Sequence, residues 1–429
     1  MRNALAAVIS LVLLSSPAVA EPAARYVLGL SDLDMAGTAY EDGQLGVPLD
    51  AKDTLLVFDT SQPDRPLGLI DAPNSVFSPP EVMDISPDGT RAVVVETLQQ
   101  RRDGQTKLAE LEENPGTALR LYDLSDPAQL KLIAETEVPA RPQAVSFNAA
   151  GDMVAVVGLT SDNGLTLVEV DEGFGTPQTF SLNLTDRGDI PFDLAHNVQF
   201  HPTEDILAVN LTLRNQVVFY RVGRDDAGGP NGITQWGNLV ATNKFPMGGL
   251  FTPNGRHYIT SDLMWGADVQ RFYGIVGQGT LTSIRVAEPD AAEPAHFIQG
   301  IQTGGFQAET LAISPDGSMI ATSNLRTTGL PQDNALFDAA ASVSLYALDA
   351  ETGGMTLIEE EFFDAHLPQG LAFDPGGDHL YVGVNEYFDA TDPVTRAGIE
   401  LWEVSTEGLD RTSIRMPAPR GVHVVRVIE

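Results

Sequence analysis

Six segments of the chain repeat one pattern of apolar and polar positions. In each segment an apolar run is followed by a turn of Pro, Asp, Asn or Gly and then by a second apolar run. The turn residues supply the backbone conformations that a tight hairpin needs, and the β-branched and aromatic residues of the runs favour strands. The apolar anchors of the first runs lie 62, 53, 51, 62 and 60 residues apart, at Ile85, Phe147, Phe200, Phe251, Ile313 and Phe373.

Each repeat continues beyond this hairpin. A third run with strand character follows, as at residues 119–124 and 342–348, and then a weaker fourth run, as at residues 131–138. Four antiparallel strands recurring at a period of about 50–60 residues predict a β-propeller in which each repeat forms one blade. No repeat has the pattern of a long helix, and residues 106–113 are compatible with two helical turns in a loop.

The two ends of the chain together supply a seventh blade. Residues 25–31 and 54–59 have the pattern of second and third strands that lack a first strand. Residues 421–427 have the pattern of an inner strand that lacks a second strand. We therefore predict that the C-terminal run becomes the inner strand of the N-terminal blade and closes the ring.

The register of the C-terminal run follows from its alignment with the preceding repeat. Pro419 aligns with Pro368, which makes Val424 the seventh anchor, 51 residues after Phe373. The predicted fold is all-β, a seven-bladed β-propeller that occupies residues 21–429 as a single domain.

The turns carry a resemblance to a known family. The elements Ser86-Pro87-Asp88-Gly89 and Ser314-Pro315-Asp316-Gly317, and the segment that begins at Gln369, are similar to those of the YVTN and lactonase-like seven-bladed propeller superfamily. That superfamily includes bacterial 6-phosphogluconolactonase-like proteins. The resemblance spans nearly the whole chain after residue 20. It implies the propeller fold and, for function, hydrolysis of sugar-type or other lactones.

One sequence position recurs at the predicted mouth of the central channel. The residue four positions before each anchor lies where the inner strand starts, at the top rim of the propeller. Six of the seven residues at this position are polar or charged, which is typical of a pocket for a polar small molecule. They are Glu81, Gln143, His196, Met247, Glu309, Gln369 and Arg420.

The second strands end at the same rim and are followed by further polar residues. These are Asp32, Glu96, Asp262, Asn324, Arg326, Asn385 and Glu386. Five connections between second and third strands are long, at residues 31–53, 97–117, 263–279, 325–340 and 386–397. Long loops on one face indicate that function uses this face, and Trp265 in the blade-5 loop is a further candidate for contact with a ligand.

Three interpretations of the polar ring remain open. In the first, His196, Glu81 or Glu309 acts as a general base on a lactone or ester, while Arg420 holds a carboxylate or phosphate. In the second, Glu81, Glu309 and His196 bind a divalent cation in the channel, which would be calcium for carboxylates alone and zinc or manganese with an imidazole. In the third, Arg420 pairs with Glu81 and channel waters satisfy the remaining groups.

Charge and composition restrict the partners. The 429 residues include 25 Lys and Arg against 59 Asp and Glu, a net charge of −34, which opposes binding to nucleic acid. The chain contains no cysteine, so disulfides, thiolate nucleophiles and Cys-bound zinc are excluded.

The first twenty residues have the order of a secretory signal peptide. Arg2 gives a positive start, residues 4–14 are apolar, and the small residues 18–20 precede Glu21 as a cleavage site. This apolar stretch is too short to span a bilayer, and no other run reaches the roughly 20 residues that a spanning helix needs. We expect export to the periplasm or beyond the cell.

Two functional hypotheses follow from the sequence alone. The first is an exported propeller that binds a small polar molecule or a periplasmic partner protein on its top face. The alternative is a lactonase-type hydrolase that uses the His, Glu and Arg residues of the ring. A hydrolase predicts that substitutions at His196, Glu81 or Glu309 abolish activity, whereas a docking protein predicts that the loops around Trp265 or Tyr387 matter more.

Overall fold

Seven antiparallel sheets form a ring around a central channel. The computed structural model describes residues 22–34, 36–75, 81–158, 164–185, 188, 194–264, 277–392 and 394–429. Each sheet is one blade, and its first strand contacts the first strands of the two neighbouring blades. The predicted all-β, seven-bladed propeller is therefore confirmed.

The blades are numbered from the one that contains the N-terminal strand. Blade 1 includes Tyr26–Ser31 (β1), Thr54–Asp59 (β2) and Gly68–Asp71 (β3). Blade 2 consists of Met83–Ile85 (β4), Arg91–Val95 (β5), Ala118–Asp123 (β6) and Lys131–Glu137 (β7). Blade 3 consists of Ala144–Phe147 (β8), Met153–Val157 (β9), Leu165–Glu169 (β10) and Gln178–Phe180 (β11).

The remaining blades follow in chain order. Blade 4 consists of Ala195–Phe200 (β12), Ile206–Leu211 (β13), Gln216–Arg224 (β14), Pro230–Gln235 (β15) and Val240–Ala241 (β16). Blade 5 consists of Pro246–Phe251 (β17), His257–Asp262 (β18), Gln278–Arg285 (β19) and Phe297–Phe306 (β20). Blade 6 consists of Ala308–Ile313 (β21), Met319–Asn324 (β22), Ala340–Leu348 (β23) and Met355–Asp364 (β24). Blade 7 consists of His366–Phe373 (β25), His379–Glu386 (β26), Ala397–Ser405 (β27) and Gly408–Ala418 (β28).

The C-terminal strand, Val422–Ile428 (β29), closes the ring. It pairs antiparallel with β1 and forms the inner edge of blade 1. It also contacts the inner strands β25 and β4 on either side. Val422, Val424 and Val425 are fully buried there, so the closure predicted from the chain ends is confirmed.

The hydrophobic core lies between neighbouring blades. Strand β13 is buried at every position because a blade covers each of its faces, and its sequence is correspondingly apolar except at Asn210. The outer strand β7 instead has exposed and half-buried residues throughout. Burial therefore decreases from the channel outward.

Two short helices lie in the long loops of the top rim. Leu108–Glu112 (α2) falls within the predicted residues 106–113, and the Glu110 carboxylate accepts the backbone N–H of Lys107 at its start. Ala39–Asp42 (α1) has no counterpart in the sequence analysis, and Thr212–Arg214 forms a single 3₁₀ turn. None of the helices in the described residues is long and apolar enough to cross a membrane.

Candidate functional site

The mouth of the channel is built from a bulge that recurs in the inner strands. In blade 4, His196 is an extra residue between two registered pairs of β12 and β13, and in blade 6 Glu309 is the extra residue between pairs of β21 and β22. Blades 5 and 7 show the same shift in register at this height. A bulge bends the strand and redirects a side chain, which places these residues at the rim of the channel.

A left-handed backbone conformation accompanies the bulge in five blades. The residue two positions before the ring residue has φ between 45° and 65°, at Arg141, Leu194, Phe245, Gln307 and Leu367. Residues other than glycine rarely adopt this conformation, which costs of the order of 1 kcal/mol or more. These strained residues occupy equivalent positions in five blades, at the channel mouth. Strained backbone often accompanies function, so the channel mouth is a candidate functional site.

In blade 1 the equivalent residue is His423, not Arg420. Strand β29 pairs Val424 with Leu30 and Val422 with Ser31, so His423 is the extra residue. Gly421, two positions earlier, has φ of 89° and takes the place of the left-handed residues of the other blades. The predicted alignment of Pro419 with Pro368 is therefore wrong by three residues.

The ring observed in the structure keeps six polar residues out of seven. Each of its members is at most 7% exposed. They are Glu81, Gln143, His196, Met247, Glu309, Gln369 and His423. Arg420 is also buried, but it lies three residues before His423, beyond the end of β29.

Glu309 has the environment expected of a group that exchanges protons near neutral pH. Burial raises the pKa of its carboxyl to about 7, although the hydrogen bond from Gln369 acts in the opposite direction. Gln369 Nε2 donates to Glu309 Oε2 at 2.9 Å, and the Ser261 hydroxyl donates to the Glu309 carbonyl oxygen at 2.7 Å. One carboxylate oxygen thus has a fixed donor, and the raised pKa suits a group that exchanges protons near neutral pH.

The two histidines of the ring are neutral in the folded protein. Burial lowers the pKa of His196 to about 3 and that of His423 to about 4. The Nδ1 of His423 lies 2.8 Å from the Gly421 carbonyl oxygen, which can only accept a hydrogen bond, so Nδ1 carries the proton. Its Nε2 is then an acceptor, and it has no hydrogen-bond partner among the described residues.

Glu81 and Arg420 contact other residues rather than each other. The Glu81 carboxylate lies 3.4 Å from Arg426 Nη2, and burial raises the pKa of Glu81. Arg420 Nη2 donates to the Leu33 carbonyl oxygen at 2.5 Å, and its Nε lies 3.9 Å from Glu386 Oε1. The predicted pairing of Arg420 with Glu81 is therefore wrong, because each side chain has a closer partner of opposite charge or polarity.

Asp262 and Asn324 end the second strands of blades 5 and 6, and the side chain of each makes hydrogen bonds within its own blade. The hydroxyl groups of Thr260, Thr280 and Thr282 all donate to the Asp262 carboxylate. Burial nevertheless raises the pKa of Asp262 to about 7. Asn324 makes the same kind of contacts, with the hydroxyl groups of Thr322, Ser342 and Ser344.

The other candidates of the rim are mostly engaged in ion pairs. Glu96 lies 3.1 Å from Arg120, Arg326 lies 3.2 Å from Asp338, and Glu386 lies 2.8 Å from Arg396. Asn385 Oδ1 is buried without a partner among the described residues, and Gln143 Nε2 donates to the Arg141 carbonyl oxygen. Trp265 lies outside the described residues.

An apolar cluster on the side of blades 4 to 7, hereafter the apolar cap, includes one member of the ring. It is a single cluster of side chains from five blades, comprising Tyr40, Leu194, Leu213, Phe245, Met247, Leu263, Leu325, Leu330, Phe337 and Leu367. Met247 is the apolar member of the ring, and Leu194, Phe245 and Leu367 are three of the left-handed residues. Burial of these large side chains offsets the backbone strain.

On the side of blades 1 and 2 a group of carboxylates accompanies a second apolar cluster, formed by Ala39, Leu45, Leu98, Leu108 and Leu111 of the long loops. Carboxylate oxygens of Asp32, Asp34 and Asp53, hereafter the Asp cluster, lie within 4.8 Å of one another. Burial, together with repulsion from the other two carboxylates, raises the pKa of Asp53 well above its usual range. The backbone N–H of Arg101 donates to Asp34 at 2.7 Å, and Ser75 Oγ donates to the same carboxylate.

The residues that could bind a metal ion lie at other places than the sequence predicts. Within the part of the chain that the structure describes, two groups of acidic or imidazole side chains have ligand atoms close enough to share an ion. One is the Asp cluster, and the other is Asp374, Asp378 and His379 at the turn between the first two strands of blade 7. Neither group includes Glu81, Glu309 or His196, the residues predicted to hold a cation in the channel.

Comparison with known proteins identifies a lactonase family over part of the chain. The model of the family described as "Lactonase, 7-bladed beta-propeller" matches residues 193–389, which include His196, Met247, Glu309 and Gln369. A search of the curated proteins gives no significant match.

Solved structures share the fold at low sequence identity. A 6-phosphogluconolactonase candidate from Bacteroides fragilis superimposes with a TM-score of 0.61 at 15% identity, covering 94% of this chain and 98% of its own. The periplasmic gluconolactonase of Pseudomonas aeruginosa gives a TM-score of 0.59 at 15% identity, covering 94% and 99%. A protein from Lactobacillus plantarum gives 0.62 at 15% identity, covering 95% and 100%. The predicted resemblance is confirmed: the chain has the seven-bladed propeller fold of these structures, and it is similar to the lactonase family over blades 4 to 6 and the first half of blade 7.

Proposed function

We propose that the protein is an exported hydrolase of small lactones in which Glu309 is the general base. The observation that carries this proposal is the Glu309 carboxyl itself, which lies at the channel mouth within the stretch matched by the lactonase family. Its pKa of about 7 suits a group that must accept a proton and return it at neutral pH.

The proposed reaction needs one water molecule and no other co-reactant. The Glu309 carboxylate takes a proton from water as the water oxygen attacks the lactone carbonyl carbon. The bond between that carbon and the ring oxygen then breaks, and the departing oxygen receives the proton from the Glu309 carboxylic acid. The product is the open hydroxy acid, and the carboxylate is regenerated. Gln369, through its 2.9 Å hydrogen bond, orients the carboxylate during both transfers.

Binding without turnover is the second candidate function. It is favoured by buried polar atoms of the mouth that have no partner among the described residues, His423 Nε2 and Asn385 Oδ1. Such atoms cost free energy unless a ligand or water satisfies them. This candidate predicts that a lactone or sugar acid stabilises the protein against heat while no hydroxy acid is released.

Export is the part of the proposal that rests on the sequence of residues 1–20. We expect the mature chain to begin near Glu21 and to be found in the periplasm. Deletion of residues 1–20 should retain the protein in the cytoplasm, as measured by cell fractionation. Continued export of the shortened chain would refute this part of the proposal.

The hydrolase proposal is tested by two matched substitutions of buried carboxyl groups. Glu309→Gln should lower kcat for lactone hydrolysis by about 10²–10⁴-fold, because general-base catalysis contributes this much. Asp262→Asn is the control, since it also removes a buried carboxyl with a pKa of about 7, and Asn324 shows that an amide fits the equivalent position in blade 6. Acid release from a panel of lactones measures both variants, and equal activity of Glu309→Gln and the wild type would overturn the proposal.

A further inference from the structure

The turn between the first two strands of blade 7 differs from its counterparts in blades 2, 5 and 6. Each of those turns begins with a hydroxyl residue whose oxygen accepts the backbone N–H of the residue five positions later, at Ser86, Thr252 and Ser314. The same hydroxyl donates to the side chain two positions later, which is Asp88, Asn254 or Asp316. In blade 7 these two positions are Asp374 and Gly376, so a carboxylate replaces the hydroxyl and the second side chain is missing.

Asp374 makes the hydrogen bond of the missing hydroxyl with one oxygen and presents its other oxygen to an imidazole. Its Oδ1 accepts the backbone N–H of His379 at 3.1 Å, as the hydroxyl does in the other turns. Its Oδ2 accepts the backbone N–H of Ala23 at 2.9 Å and lies 3.5 Å from Nδ1 of His379. Because a carboxylate oxygen has two lone pairs, Oδ2 can accept the Ala23 N–H and still bind a cation.

Asp378 adds a third donor atom to this pair. Its Oδ1 lies 3.0 Å from His379 Nδ1, and the ligand atoms of Asp374, Asp378 and His379 all lie within 4.8 Å of one another. Bonds of about 2.0–2.2 Å place two ligands of a tetrahedral zinc ion roughly 3.3–3.6 Å apart. The two separations measured from Nδ1, 3.0 Å and 3.5 Å, are close to this range, so binding an ion needs little movement of the side chains.

The missing side chain of Gly376 leaves space beside the two carboxylates. A Cβ atom on Gly376 would lie 3.0 Å from Asp378 Oδ1 and 3.3 Å from Asp374 Oδ2. Asp374 and His379 are almost fully buried, which fixes their positions, whereas the Asp378 side chain is 53% exposed. An ion can therefore enter from solvent past Asp378 and keep a water molecule on that side.

A buried hydroxyl next to the turn lacks a partner. Tyr381 follows His379 by two residues on the regular strand β26, so both side chains project from the same face. Its hydroxyl is fully buried and has no hydrogen-bond partner among the described residues. Burial and the Asp374 carboxylate both raise the pKa of Tyr381, which places the hydroxyl near that carboxylate. An unpaired buried hydroxyl costs free energy, and a water ligand of a bound ion would supply its partner.

We infer that Asp374, Asp378 and His379 bind a zinc ion, with water as the fourth ligand, and that this ion fastens the segment before β1 to blade 7. An imidazole with two carboxylates suits zinc, whereas calcium and magnesium prefer oxygen ligands alone. The Ala23 N–H bond to Asp374 connects the site to the N-terminal segment, so the ion would reinforce the closure of the ring. The site lies at the opposite end of β25 from the channel mouth, and the inference does not rest on the proposed hydrolysis.

Isothermal titration calorimetry of the mature chain, residues 21–429, tests the site with the metal alone. After treatment with a chelator, the protein should bind one zinc ion per chain. Manganese should bind more weakly than zinc, as expected for a site with a nitrogen ligand, and calcium more weakly still. Absence of zinc binding, or calcium binding that is tighter than zinc binding, would overturn the inference.

Two matched substitutions locate the bound zinc. Asp378→Asn removes one ligand at a half-exposed position and should weaken zinc binding at least about tenfold, since even the loss of an outer partner of a metal ligand has such an effect. Asp316→Asn is the control, because it makes the same change in the equivalent turn of blade 6, where the carboxylate bonds to Ser314 and Ser318. It should leave the zinc affinity unchanged. Equal affinities of the wild type and Asp378→Asn would show that zinc binds elsewhere and would overturn the inference.

A third substitution removes the space without removing a ligand. Gly376 does not have a positive φ, so Gly376→Ala is compatible with the backbone of the turn. Its Cβ should weaken zinc binding while the melting temperature in the presence of chelator stays that of the wild type. Wild-type zinc affinity in the folded Gly376→Ala protein would show that no ion occupies this space.

Trypsin tests whether the ion fastens the N-terminal segment. Cleavage after Arg25, two residues beyond Ala23, requires this segment to open locally, and the released peptide is detected by mass spectrometry. Zinc should slow this cleavage in the wild type and in Asp316→Asn but not in Asp378→Asn. If zinc binds at the turn and the rate of cleavage in the wild type is unchanged, the assigned role in ring closure is wrong.

Discussion

The two sides of the channel mouth are stabilised in opposite ways. On the side of blades 4 to 7, strained left-handed residues such as Leu194, Phe245 and Leu367 are held by burial of their own apolar side chains in the cap. On the side of blades 1 and 2, the Asp cluster holds three carboxylates together through hydrogen bonds from backbone N–H groups and from Ser75. The stability of the apolar cap does not depend on protonation, whereas the stability of the Asp cluster depends on the protonation of its carboxyl groups.

The two sides of the mouth also differ in their similarity to known proteins. The family match, residues 193–389, contains the cap residues of blades 4 to 7 together with Glu309 and Gln369. The Asp cluster lies outside that stretch, in and beside the loop that follows β1. The cap residues of blades 4 to 7 and Glu309 thus lie within the matched stretch, and the Asp cluster lies outside it.

The largest expected effect comes from removing the strand on which both sides depend. Deletion of residues 422–429 removes β29 and with it His423 and the buried Val422, Val424 and Val425. Each buried side chain contributes roughly 1.5–3 kcal/mol, so the loss is comparable to the whole stability of a domain. We expect the shortened chain to lack a cooperative melting transition in circular dichroism. An unchanged melting temperature would show that the ring does not need closure.

A smaller effect is expected from truncating the cap. Leu367→Ala removes a fully buried side chain and leaves a cavity, which should lower the free energy of unfolding by about 2–5 kcal/mol. Because the cap contains no titratable group other than Tyr40, the loss should be the same at pH 5 and pH 8 in urea denaturation. A loss that varies between these pH values would contradict the distinction between the two sides.

The smallest effect, and the one with a pH dependence, is expected in the Asp cluster. The pKa values of Asp34 and Asp53 are raised in the folded protein, so the folded state binds protons that the unfolded state releases. Their contribution to stability is therefore present at low pH and is lost as the pH rises through the raised values. Asp34→Asn removes one of the repelling charges, and it should stabilise the protein by about 1 kcal/mol at pH 8 and have little effect at pH 4. A stabilisation that is larger at pH 4 than at pH 8 would reverse the expected sign.

The blade count and the closure were predictable because they depend on periodic strands and tight turns, which leave clear signals in the sequence. The ring was predictable in six blades for the same reason, since a fixed distance of four residues from the anchor survives the bulge. In blade 1 the spacing indicated Arg420, whereas the structure has His423 at this position. The register of β29 is set by its pairing with β1 at the other end of the chain, which the spacing does not reveal.

The cap and the Asp cluster left no comparable signal. Leu194, Phe245 and Leu367 have the appearance of ordinary strand residues, and nothing in a non-glycine side chain indicates a positive φ. Met247, taken from the sequence as the exception in a polar ring, instead belongs to the cap. Asp34 and Asp53 are brought together by the path of the loop between β1 and β2, which the sequence does not specify.

The central claim, that Glu309 is the general base of a lactone hydrolase, is tested most directly by the pH dependence of kcat/KM for the wild-type protein. Because the carboxylate is the active form and the pKa of Glu309 is about 7, kcat/KM should rise tenfold per pH unit below 7 and level off above it. The residual activity of Glu309→Gln should lack this rise. A profile that is already level between pH 5 and pH 8, or a rise that persists in Glu309→Gln, would contradict the account.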